Sequence, residues 1–111
     1  MATIKFRRVF TISASAGETG QKTWEADDNY TIKYILMIDQ DGYSLEKFRV
    51  TVSIDNDYIT EDEVSASVFG SERLTAWPID KPIKQAQKFI VSYENNDSTT
   101  HNVDVVLVLE S

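Results

Sequence analysis

The 111-residue chain is 41% apolar and 11% aromatic, which fits one globular core and excludes a disordered or low-complexity polymer. Its 18 acidic and 11 basic side chains leave a formal net charge of −7, which argues against a general binder of nucleic acid or anionic membrane, since those need clustered Lys and Arg. It has no cysteine, so disulfide scaffolds, thiolate zinc sites and cysteine nucleophiles are excluded.

Met1 leads into Ala-Thr-Ile-Lys-Phe-Arg-Arg without the apolar segment or cleavage site of a secretion signal. No apolar run reaches the roughly 20 residues of a membrane helix. The expectation is a chain that begins directly in structure and resides inside a cell.

Ile4, Phe6, Phe10 and Ile12 share a parity, which predicts a strand over residues 3–13. Arg8 falls on the apolar side. A bulge or an edge position that lets the guanidinium reach water accounts for it, and a contact to a neighbouring subunit is the alternative. Residues 13–23 are small and polar with two glycines, which predicts a long loop able to reach a neighbour. Gly17 and Gly20 lack the Gly-Lys-Ser ending of a phosphate-binding loop. Residues 22–26 read as a short strand carrying Trp24, and Asp27-Asp28-Asn29 as a turn.

The centre of the chain is residues 30–54. Tyr30, Ile32, Tyr34, Leu36 and Ile38 alternate with their neighbours, as do Phe48, Val50, Val52 and Ile54. Asp41-Gly42 lies between the two runs, so the pattern predicts a hairpin. Thr60 and Glu63 have capping-box spacing, which predicts one short helix near 61–68 ended by Gly70. Residues 74–79 read as an edge strand stopped by Pro78 and Pro82. Residues 85–94 form a strand with Phe89, Val91 and Tyr93 on one face, and 95–100 a turn. In the last strand, Val103, Val105, Leu107 and Leu109 face one way while Val106 and Val108 face the other, so its middle is expected to be covered on both sides. The sum is a single all-β domain over 1–111: an antiparallel β-sandwich, jelly-roll-like or Greek-key, of seven or eight strands with one short helix.

His101 is the only histidine, and with no second histidine and no cysteine it lacks partners for a triad or a zinc site. A solvent-facing residue at a strand start is expected. Asp39-x-Asp41-Gly42 is a fragment of a calcium loop that a turn explains in full. Asp55, Asp57 and Glu61 are the better calcium candidates, and a solvated turn explains them too. Trp24, Trp77, Tyr43 and Tyr58 suit either a sugar-stacking platform or a core and rim, and their parity favours the core. Asn29-Tyr-Thr and Asn96-Asp-Ser match the glycosylation triplet, which is common by chance. Cofactors and catalytic residues are expected to be none. The remaining candidates are interaction residues: Arg7 and Arg8 in the basic first strand, and Glu61, Asp62 and Glu63 in the acidic segment 55–63. Patches of opposite sign permit head-to-tail contacts.

This cysteine-free layout starts a strand almost at Met1. It ends in Phe-Ile-Val-Ser-Tyr-Glu-Asn-Asn-Asp-Ser-Thr-Thr-His-Asn-Val-Asp-Val-Val-Leu-Val-Leu. It resembles the small β-sandwich and jelly-roll structural proteins of phages and archaeal viruses. The resemblance lies in layout and carries no diagnostic motif, so no functional residue transfers with it. It implies a non-enzymatic, self-associating capsid or capsid-decoration component, assembled in the host cytoplasm. Its partners would be itself and other virion proteins, with no nucleic acid or membrane. The alternative is a ligand-binding sandwich module for carbohydrate or a protein partner.

Overall fold

A computed structural model describes residues 5–60, 62–70 and 77–111. Among them are nine strands: β1 (Lys5–Ala14), β2 (Thr19–Glu25), β3 (Tyr30–Asp39), β4 (Phe48–Ile54), β5 (Asp57–Tyr58), β6 (Val64–Ser65), β7 (Trp77–Ile83), β8 (Lys88–Asn95) and β9 (His101–Glu110). One 3-10 turn, Ala66–Phe69, follows β6. The strands form two antiparallel sheets. The first runs β1-β9-β3-β7; the second runs β2-β8-β4-β5, with β6 also paired to β4.

With β5 and β6 taken together as one interrupted strand, the pairs are nested. First meets last (β1–β9), second meets next-to-last (β2–β8), then β3 meets β7 and β4 meets β5. Wrapping such a ribbon so that β9 also meets β3, and β8 also meets β4, produces a jelly roll. The strand alternation drives the wrap, because each strand has one apolar face to bury and the two sheets can bury theirs only against each other. Ile12, Ile35, Met37, Val103, Val105 and Leu107 of the first sheet meet Phe48, Val50, Val52, Phe89 and Val91 of the second. Phe10 and Phe89 bridge the sheets edge to face at 6.2 Å.

Five expectations are corrected. Residues 30–54 are not a hairpin: β3 and β4 lie in different sheets, and residues 40–47 cross between them. Gly42 does take a positive φ of 76°. It closes a turn with its N–H on the Asp39 carbonyl (3.1 Å), but that turn starts a crossover. Nor does β3 keep one parity. Against β9 the register shifts between Ile32 and Tyr34, so Lys33 is an extra residue. Ile35, Met37 and Asp39 therefore face the core, while Tyr34, Leu36 and Ile38 face outward. Against β7 the same shift leaves Asp80 at a φ of 51°, and Lys33 and Asp80 form an ion pair across the irregularity.

The long loop over 13–23 shrinks to residues 15–18. The Ser15 N–H and hydroxyl both donate to the Glu18 carboxylate (3.1 and 2.9 Å), and Gly17 takes a φ of 79°. Thr19 onward is strand, and its polar residues suit an edge with much of its surface in solvent. The helix near 61–68 reduces to the 3-10 turn. Thr60 accepts the Val52 N–H (3.1 Å) instead of capping, and Val64–Ser65 pairs with β4. Finally, the strand expected to stop at its prolines continues through Pro78 and Pro82 to Ile83. An edge position allows this, because a proline there need not donate to a neighbour. Residues 74–76 of that expectation lie outside the described residues.

Candidate functional site

One end of the sandwich holds a buried polar cluster. It is built where three connections meet: the β1–β2 turn, the β3–β4 crossover and the β8–β9 turn. His101, first residue of β9, is 0% exposed. Its Nδ1 lies 2.5 Å from Asp39 Oδ2, and its Nε2 lies 3.1 Å from Asp97 Oδ2. The other Asp39 oxygen accepts the N–H groups of Asp41 (2.8 Å) and Tyr43 (3.2 Å), which fixes the start of the crossover. Phe48 and Tyr43 set their rings edge-on to the imidazole at 5.9 and 6.2 Å. Asn95, also wholly buried, donates to the carbonyls of Ala14, Ser15 and Thr99 and accepts the Asp97 N–H.

Each imidazole nitrogen faces a carboxylate, so each must carry a proton to make a hydrogen bond. Burial disfavours the imidazolium, but the hydrogen bonds and charges of Asp39 and Asp97 outweigh it and raise the His101 pKa. Burial likewise pushes the Asp39 carboxyl up. The bonds from His101, Asp41 and Tyr43 outweigh it and leave Asp39 below the usual carboxylate range. The bond from His101, then that from the Ser98 N–H, lowers Asp97. A ring with both nitrogens donating and no exposed atom has no lone pair with which to take a proton from a substrate. The cluster is a clasp that ties three connections together.

His101 is thus the reverse of the expected solvent-facing residue. Its parity was the available signal: 101, 103, 105, 107 and 109 all face the core. Asp39 gave no such signal, because the irregularity at Lys33 hides its orientation.

The expected interaction residues are distributed differently. Arg7 is exposed and makes no hydrogen bond or ion pair with a described residue. Arg8 instead turns toward the second sheet, 5.6 Å over the Trp24 ring and 3.9 Å from Asp27. Its Nε is buried without a hydrogen-bond partner among the described residues. Trp24 in turn stacks on Tyr30 at 6.2 Å. Asp62 accepts the N–H of Glu63, and Glu63 pairs with Arg49 at 3.3 Å, so part of the acidic charge is met within the chain. Glu61, an interaction and calcium candidate, lies outside the described residues. Of the other calcium candidates, Asp55 accepts the Lys88 N–H and Asp57 pairs with Lys81 at 3.5 Å. Among the described residues, no three His, Cys, Asp or Glu side chains gather closely enough to hold a metal ion.

Three of the four aromatic candidates are also dispersed, and the Trp77 side chain lies outside what the structure describes. Tyr58 is exposed on β5, Tyr43 is exposed in the crossover, and Trp24 is half-buried on β2 at the far edge of its sheet from β5. An open depression beside Tyr30, Pro82 and Lys84 has a volume of about 400 Å³. No described helix is long and apolar enough to cross a membrane.

These features define an antiparallel jelly-roll sandwich with a buried charged clasp at one end. No protein-family model, curated protein or solved structure matches the chain.

Proposed function

We propose that the protein is a non-enzymatic structural subunit that self-associates, of the kind that builds or decorates a virion shell, assembled in the host cytoplasm. The outer face of the four-stranded sheet carries this reading. On a sandwich surface the outward positions are ordinarily polar. Here Leu36 and Val106, 7% and 9% exposed, form a second apolar cluster outside the core, with the half-buried Tyr34, Ile38 and Val108 packed around it. The half-buried Tyr34, Ile38 and Val108 carry that apolar character to the surface, and apolar ground on an outer face supports contact with another protein. Jelly rolls also serve in capsids and lectins, so the fold is compatible with the reading without selecting it.

The test is the mass of the purified protein by light scattering across concentration and salt. Discrete oligomers or large particles support the proposal. A monomer under every condition overturns it and brings forward the ligand-binding module, for which a glycan screen is the next measurement.

A further inference from the structure

The two edges of the four-stranded sheet are unlike. The β7 edge carries Pro78 and Pro82, a register shift and a positive φ at Asp80, all of which obstruct pairing with another strand. The β1 edge has none of these. All ten of its residues pair with β9 in unbroken register, and its other side has no partner among the described residues. Val9, midway along β1, is 53% exposed. It sits in one row with Val106 and Leu36, at the end of the apolar cluster of the outer face.

Register decides which strand fits beside it. A second β1 laid antiparallel keeps outer face with outer face only where the two numbers in each pair sum to an even value. Placing Arg8 opposite Arg8 sets like charges together, and so does placing Arg7 opposite Arg7. Placing Phe10 opposite Phe10 puts Arg7 beside Ser13 and Asn102, where there is no acid. Placing Val9 opposite Val9 is different. Lys5 then faces Ser13, Arg7 faces Thr11, and the apolar row runs unbroken from one copy into the next.

In that register Arg7 of one copy lies across Thr11 from Asp104 of the other. The Cα separation is two strand spacings, roughly 10 Å, which an arginine side chain lying along the sheet can bridge. Asp104 Oδ1 is already held by the Thr11 hydroxyl and the Gln40 amide, both at 2.8 Å. Its Oδ2 has no partner among the described residues, and neither has the Arg7 guanidinium.

We propose that two copies of the protein pair through their β1 edges, antiparallel about Val9, forming one continuous eight-stranded sheet with Arg7 of each copy on Asp104 of the other. The contact is isologous, so it closes as a twofold dimer and leaves the β7 edges outermost. This inference rests on the self-association proposed above and supplies its first contact.

Sedimentation velocity on the full chain tests it, with the V9K, R7E and D104K variants and the R7E/D104K pair. Circular dichroism checks that each variant is folded. The expected wild type is a dimer. V9K sets two cations on the twofold axis and should weaken dimerisation at least about tenfold, as should R7E alone. R7E/D104K, with the charges exchanged, should recover most of the loss. Should V9K fail to fold, the charge exchange decides alone, with hydrogen exchange on residues 7–13 showing whether the β1 edge is protected in the dimer. Wild-type assembly unchanged by V9K and R7E overturns this interface and leaves the self-association reading standing. A wild type that is monomeric throughout overturns both.

Discussion

His101 shows how one side chain can hold an end of the molecule. Replacing it with alanine removes the partner of two carboxylates and leaves Asp39, itself almost wholly buried, without its counter-charge. Losing one member of a buried ion pair costs far more than losing a surface pair, so H101A should lower the unfolding free energy by about 3 kcal/mol. A urea titration against wild type measures this. The same residues predict a pH profile. The His101 pKa is raised from 6.5, so its stabilisation is complete below pH 6.5 and fades as pH climbs through the raised value. Asp39 and Asp97 are lowered from 3.8, so theirs is complete above pH 3.8 and fades as pH drops through the lowered values. The difference in urea midpoint between wild type and H101A should therefore be largest from pH 3.8 to 6.5 and should shrink on either side. A constant difference across pH would count against an imidazolium clasp.

Among the elements, β2 is the one whose composition points the wrong way. Thr-Gly-Gln-Lys suggests a loop, yet it forms a strand because Gly20 sits opposite Tyr93. A Cβ at Gly20 would lie 2.5 Å from the Tyr93 hydroxyl and 2.7 Å from its ring carbon. That ring is in turn stacked on Phe48 at 5.8 Å, so it cannot move aside freely. G20A should thus destabilise by about 1–2 kcal/mol, whereas alanine in an ordinary strand position improves on glycine. A thermal melt distinguishes the two signs. Other elements were legible for plain reasons. The alternation in β9 placed Val103, Val105, Leu107 and Leu109 on the core face and Val106 and Val108 opposite, as the structure has them. Alternation reports a face but not a partner. Asp41-Gly42 reverses the chain equally well in a hairpin or a crossover, so the same signal fits both the expected hairpin and the observed β3–β4 crossover. Lys33 inserts one residue without any mark in composition, and it moved Leu36 outward and Asp39 inward. The clasp was hidden for the same reason: Asp39 and His101 lie on neighbouring strands of one sheet, and they share its core face only because Lys33 is an extra residue in β3.

For the whole molecule, nested pairing sets the kinetics. The β4–β5 pair is local, but β1 and β9 come from opposite ends of the described chain. Closing so many long connections before their contacts form is slow, so refolding by stopped flow should take milliseconds to seconds, as in other sandwiches of high contact order. The same pairing governs how the subunit bears a load. Lys5 and Glu110 are register partners, so the outer ends of β1 and β9 lie side by side. Tension applied at those two points pulls at right angles to the strands, and it meets the ladder one rung at a time. Held in optical tweezers by residues 5 and 110, the sandwich should peel open from β1 at low force. Gripped at residues 14 and 110, where the pull runs along the strands, it should resist until many rungs break together. A subunit in a stressed shell would therefore hold well along β1 and yield like a zip across it.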